Sequence, residues 1–183
     1  MFIIVNGVCM LLKGSKTEKN LQQAFAGESM ARNKYTYYAS QARKDGYVRI
    51  SQVFLETADN EKEHAKIWFK YLNGIGNTEE NLAMAEEGEN YEWMEMYQKF
   101  AEDADEEGFT GIAKLFREVA KIEKEHALHY AKLKQQLKNG EFFNKKEEVY
   151  WVCMNCGYVV NGKDAPSECP VCEHSRSYFK IKE

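Results

Sequence analysis

From residue 17 to residue 139, apolar positions return every three or four residues, the period of a helix with one buried face. Ile50, Phe54, Ala58, Ala65, Trp68 and Phe69 form one such stripe. Turn signals divide the run into four predicted helices. The first spans about Thr17 to Lys44, with Thr17 as N-cap, and stops at Asp45-Gly46. The second spans about Val48 to Asn73 and stops at Gly74. The third opens at Thr78, where Thr78-Glu79-Glu80 offers a cap and an acidic first turn, and ends near Gly108. The fourth spans about Thr110 to Asn139 and stops at Gly140. The two prolines, Pro166 and Pro170, both follow this run, so none interrupts a helix.

The helices repeat in pairs. Glu61–Ala65 (EKEHA) returns as Glu123–Ala127, 62 residues on, and Gly27-Glu28 returns as Gly88-Glu89, 61 residues on. Ile50, Phe54 and Ala58 match Ile112, Phe116 and Ala120, and Asp45-Gly46-Tyr47 matches Glu107-Gly108-Phe109. A duplicated helix pair predicts a four-helix bundle.

Composition adds limits. The chain has 183 residues, 44% hydrophobic and 30% charged, which is a core-forming, soluble balance. A net charge of −4 argues against a nucleic-acid binder. Met1 to Leu12 is mostly apolar but shorter than the roughly 20 residues that span a bilayer. It lacks a basic segment and a cleavage site, so a secretory signal is not predicted and the cytoplasm is the expected location. The segment reads either as an arm that packs on a partner or as a stretch preceding a start at Met10.

Helical spacing places Glu61 beside His64 and Glu123 beside His126, each pair three residues apart on one face. Glu-x-x-His on two helices, with one Glu from each of two others, is the ligand pattern of a di-iron carboxylate site in a bundle. Glu28 and Glu89 are the candidates for those other two carboxylates. Glu63 and Glu125 read as solvated. Glu92, three residues after Glu89, has Ala31 as its counterpart, so the second half carries one extra potential ligand. Tyr35 and Tyr97 lie two turns beyond Glu28 and Glu89. They read either as core packing or as hydrogen-bond partners of a ligand or of peroxide.

Lys138 to Glu148 is charged and reads as a linker. Beyond it stand Cys153-x-x-Cys156 and Cys169-x-x-Cys172, with twelve residues between the inner cysteines. Two such knuckles predict one tetrahedral four-thiolate site for iron or zinc. A segment of about 35 residues cannot bury a sufficient core alone, so the metal should hold it together. Cys9 is the odd cysteine and reads as a buried or incidental thiol. The predicted organisation is an extension over residues 1–13, a bundle over 14–140, a linker over 141–149 and a cysteine module over 150–183. The fold class is mainly α, a four-helix bundle with a small C-terminal metal-knuckle domain.

Over residues 14–183 the chain resembles the rubrerythrin family. The resemblance rests on Ala24-Phe-Ala-Gly-Glu-Ser-Met-Ala-Arg32, both Glu-x-x-His motifs, Gly88-Glu89-x-x-Glu92 and Cys153-x-x-Cys156-Gly-Tyr with Ala165-Pro and Cys169-Pro-x-Cys172. It implies a ferritin-like four-helix bundle with a small C-terminal rubredoxin-like domain, and a non-haem di-iron peroxidase that reduces hydrogen peroxide to water in oxidative-stress defence. A mononuclear iron held by the four cysteines would relay electrons from an external NAD(P)H-dependent reductase or a rubredoxin. It implies Glu61 and Glu123 as bridging ligands. Glu28 would serve one iron, with Glu92 or His64 according to oxidation state, and Glu89 and His126 the other. Zinc or manganese could substitute for iron. Glu173 departs from the glycine common after the second knuckle in stand-alone rubredoxins.

The link between the second and third helices, Gly74 to Asn77, spans at most about 14 Å, whereas helices of about 27 residues are about 40 Å long. The chain therefore either forms a simple up-down-up-down bundle or exchanges its second pair with a partner in a domain-swapped homodimer. The swap keeps the family's helix directions and is the expected arrangement. The competing functional reading is a ferroxidase or iron-handling protein. The cysteine tail and Glu92 argue against it, because a store needs no electron inlet. A protein with zinc in its tail and no redox role is the third reading.

Overall fold

The computed structural model describes residues 2–5 and 8–182, and side chains from residue 11 onward. The expectation for the Cys9 thiol therefore lies outside the described residues. Two units, Met1–Gly76 and Asn77–Glu183, divide the chain.

The first unit opens with an antiparallel strand pair, β1 (Phe2–Val5) and β2 (Val8–Leu11). Helix α1 (Lys16–Lys44) then packs on α2 (Val48–Tyr71). The N-cap of α1 is Ser15 rather than Thr17. Its Oγ accepts from the Glu18 N–H at 3.0 Å, and the Glu18 carboxylate accepts from the N–H of Gly14, the residue before the cap, at 2.7 Å. Helix α2 stops at Tyr71, two residues before the expected Asn73.

In the second unit α3 (Thr78–Tyr91) is capped by Asn77, one residue before the expected Thr78. Asn77 Oδ1 accepts from the Glu80 N–H, and the Glu80 carboxylate accepts from the Asn77 N–H, a reciprocal box of about 1 kcal/mol. The predicted third helix is not one regular helix. A π turn (Glu92–Met96) interrupts it before α4 (Tyr97–Glu106) resumes. Helix α5 (Thr110–Lys138) packs against both α3 and α4.

The duplication is visible in the packing. Tyr35, Tyr38 and Phe54 form an aromatic cluster with centroid separations of 6.3, 6.1 and 5.7 Å. Tyr97, Phe100 and Phe116, each 62 residues on, repeat it at 6.3, 6.0 and 5.6 Å. The buried residues of the helix pairs are mostly alanines, Ala39, Ala42, Ala58 and Ala65 in one unit and Ala101, Ala104, Ala113, Ala120 and Ala127 in the other. Small side chains let the helices approach closely. The larger members of the apolar stripes, among them Ile50, Val53, Ile67, Ile112, Leu115 and Ile122, remain exposed.

After α5 the chain forms a three-stranded sheet of order β4-β3-β5, made by β3 (Asn144–Cys153), β4 (Val159–Asp164) and β5 (Phe179–Ile181). Strand β3 starts inside the charged segment 141–149, and a register shift between Asn144 and Val149 leaves Lys146, Glu147 and Glu148 exposed. Trp151, Cys153, Ala165, Cys169 and Phe179 form the small core, and the Trp151 indole N–H donates to the Gly162 carbonyl at 3.0 Å.

Candidate metal centres

Three clusters of metal-binding side chains occur among the described residues. Each brings its ligand atoms within 4.8 Å of one another. Glu28, Glu61 and His64 form one in the first unit, and Glu89, Glu123 and His126 form its counterpart in the second. Their geometries agree closely. His64 Nδ1 lies 2.8 Å from Glu61 Oε2 and 3.7 Å from Glu28 Oε2. His126 Nδ1 lies 2.6 Å from Glu123 Oε2 and 3.7 Å from Glu89 Oε2. Ligand atoms about 2.1 Å from one first-row ion stand about 3–4 Å apart, so both sets fit a metal.

The carboxylates carry the electrostatic mark of a crowded site. Glu28 is raised above 4.5, first by its hydrogen bond to Glu61 and then by burial and the Glu61 charge, while Glu61 is lowered by the bonds to Glu28 and His64. Glu28 thus keeps its proton to higher pH than a free carboxyl does, and Glu61 gives its proton up at lower pH. Glu89 is raised by burial and by the charge of Glu123. Burial and the charges of Glu92, Glu123 and Glu89 raise Tyr97, which keeps its phenol protonated and able to donate. Glu92 and Tyr97 therefore face the second cluster, although Glu92 is not among its close ligand atoms. Tyr35 packs on Tyr38 and Phe54. No hydrogen bond joins either tyrosine hydroxyl to a carboxylate among the described residues.

The π turn was missed in the sequence, yet it left a signal there. The repeat offset is 61 at Glu28/Glu89 and 62 at Tyr35/Tyr97, so one extra residue lies between those landmarks. A π turn absorbs one residue without rotating the rest of the helix, and such turns gather at functional sites. Glu92 is its first residue.

The third cluster is Cys153, Cys156, Cys169 and Cys172. Cys153 Sγ lies 3.7 Å from Cys172 Sγ, and Cys156 Sγ lies 3.6 Å from Cys169 Sγ. Four thiolates about 2.3 Å from a central ion make a tetrahedron with edges of about 3.8 Å, so the cage has the size of a four-thiolate metal site. The Tyr158 backbone draws Cys156 down, but burial and the three other thiols outweigh it and push it up to about 12. Burial would raise Cys172, but Asn155, the His174 backbone, Cys156 and Cys169 bring it down to about 6. Glycine at 157 and Glu173 occupy equivalent turns, with φ of 78° and 58°. The backbone thus demands a left-handed residue at both knuckles, and Glu173 accepts the strain that a glycine would avoid.

Paired carboxylate–histidine clusters on duplicated helices, followed by a four-cysteine cage, define the class of di-iron proteins that carry a rubredoxin-like domain. The rubrerythrin family model matches residues 19–134, and the model of the rubredoxin-like domain of rubrerythrin matches residues 151–180. The chain belongs to the rubrerythrin family. It is 50% identical to a rubrerythrin of Porphyromonas gingivalis over 92% of this chain and 91% of that one. It is 47% identical to rubrerythrin-1 of Clostridium acetobutylicum over 93% and 96%. A solved structure of nigerythrin, titled as partially reduced, is 27% identical with coverage of 94% and 92% and a TM-score of 0.35. Family membership carries two kinds of iron site, a di-iron centre and a mononuclear iron on four cysteines, and the donor sets described above fit both.

Proposed function

We propose that this chain reduces hydrogen peroxide to water in the cytoplasm, as a homodimer supplied with electrons by an NAD(P)H-linked reductase or a rubredoxin. The observation that carries the reading is the presence, in one chain, of two matched carboxylate–histidine clusters and a four-thiolate cage. One peroxide, two electrons and two protons give two waters. When bound, iron at the carboxylate clusters supplies the two electrons that cleave the O–O bond, and iron at the cysteines replaces them singly.

The residues divide the remaining work. Glu61 and Glu123 would be shared by the two metals. Glu28 would serve one of them, with His64 and Glu92 as alternative ligands, and Glu89 and His126 would serve the other. Tyr97, held protonated beside Glu92, would donate a hydrogen bond to peroxide, and Tyr35 would take the matching place in the first half. Cys153, Cys156, Cys169 and Cys172 hold the relay iron in the module over residues 150–183, beyond a bundle over 14–140. Each carboxylate cluster holds three of the ligands a complete centre needs, and each helix pair leaves large apolar residues exposed. Both observations favour a domain-swapped dimer in which each centre takes one cluster from each chain.

The test is anaerobic. Iron-loaded, fully reduced protein receives one equivalent of peroxide while the visible absorbance of the four-cysteine iron is followed. Rapid reoxidation, lost in Glu61→Ala and His126→Ala, is the expected result. A tail that stays reduced while peroxide persists overturns the reading in favour of an iron-handling protein.

A further inference from the structure

The internal repeat allows one half of the chain to be measured against the other. On α1 and α2 a groove of about 390 Å³ is lined by Phe25, Ser29, Arg32, Lys62, Lys66 and Phe69. On α3, the π turn and α5 a hollow of about 170 Å³ is lined by Glu86, Asn90, Trp93, Lys124, Leu128 and Ala131. Position for position these are the same residues of the repeat, 61 apart on the first helix of each pair and 62 apart on the second.

The hollow of the second half is filled from within. Lys124 Nζ stands 5.2 Å from the centre of the Trp93 ring, a cation–π contact, and the Trp93 indole N–H donates to Asn90 Oδ1 at 2.9 Å. Glu86 pairs with Lys134. The first half has the cation, Lys62, but no ring: Arg32 stands at the position of Trp93. Lys66 stands in place of Leu128, and Phe25 in place of Glu86. Phe25 and Phe69 stack at 4.6 Å with 12° between their planes and give the groove a flat apolar wall. Gly74 is required behind it, since a Cβ there would lie 2.0 Å from the Phe69 ring. Lys62 and Lys66 share a single acid, Glu63, at 4.0 and 3.4 Å, and Arg32 has no ion-pair partner among the described residues.

We propose that this groove binds a planar aromatic ring carrying a phosphate, of mononucleotide size. The ring takes the place that Trp93 takes in the second half, against Phe25 and Phe69 and within reach of Lys62. The phosphate pairs with Arg32 and Lys66, whose charges are otherwise matched by one carboxylate. The volume lies near the lower end of the roughly 300–1,000 Å³ typical of ligand sites, which suits a mononucleotide and not a dinucleotide. The proposal stands apart from the peroxide reading and needs no electron transfer.

Calorimetric titration of the full-length, metal-loaded protein tests it with adenosine monophosphate and flavin mononucleotide, each beside its unphosphorylated parent, adenosine and riboflavin. At least one phosphorylated probe is expected to bind about tenfold or more tightly than its parent. Arg32→Trp makes the first half resemble the second. It should fill the groove and weaken that probe about tenfold or more with helix content and metal load unchanged. Arg32→Gln leaves the groove open and should bring the probe down to its parent's affinity. The proposal is overturned if neither phosphorylated probe binds, if each binds no better than its parent, or if binding survives Arg32→Trp. The first of these outcomes would favour a side chain of a second copy as the natural occupant.

Discussion

In the proposed centre a proton and a metal ion would compete for the same oxygens at Glu28 and Glu61. The hydrogen bond to Glu61 raises Glu28 above 4.5, so in the metal-free protein its proton is held at pH values where the unfolded chain has lost it. Its stabilising effect is present at low pH and fades as pH rises through the raised value. Metal binding expels it. The number of protons released per metal ion should therefore grow as pH falls from neutrality toward the carboxylate range, and metal affinity should fall with it. Glu28→Gln should release fewer protons, as read by pH-stat titration. At the other end of the chain, Cys172 at about 6 and Cys156 at about 12 differ in thiolate content although Cys156 is the more exposed. In metal-free protein near neutral pH, iodoacetamide should label Cys172 first, by peptide mass spectrometry. The grouping of Glu61 with His64 was legible in sequence because helical spacing alone puts the two on one face. The environment of Cys172 was not, since Asn155 and His174 reach it only through the fold of two knuckles.

At the scale of elements, helix existence followed from periodicity and turn residues. The caps at Ser15 and Asn77 were displaced because more than one nearby polar residue can cap, and the bond actually accepted, from the Glu18 or the Glu80 N–H, decides between them. The π turn escaped because hydrophobic period is too coarse to register one added residue. Its position makes a deletion informative. The first half reaches Ala39 and Ala42 from Glu28 by regular helix, and the second reaches the equivalent Ala101 and Ala104 with one residue more. Removing Glu95 should thus yield a regular helix with the alanine contacts kept. Thermal unfolding should show a change within about 1 kcal/mol, well short of the 3 kcal/mol typical of a broken core.

The two helix pairs present large apolar residues that neither covers, while the best-covered positions of each pair are mostly alanines. That imbalance was not readable from the stripes, which report that a face is apolar and not what lies against it. A second chain supplies the cover in the proposed assembly, so folding, metal retention and association should be linked. On dilution, sedimentation velocity should show metal loss tracking dimer dissociation, and chelation should lower the concentration dependence of the melting temperature. A monomer that keeps its iron at high dilution would rule the exchange out.

The π turn also bears on spectroscopy. Were the two halves strict copies, the two irons of a centre would occupy mirror environments and give one Mössbauer signal. Glu92 stands opposite Ala31, and the added residue beside it has no counterpart. In the proposed centre the symmetry of the duplication would therefore be broken at the metals, and the two irons should be distinguishable by quadrupole splitting even when both carry the same charge.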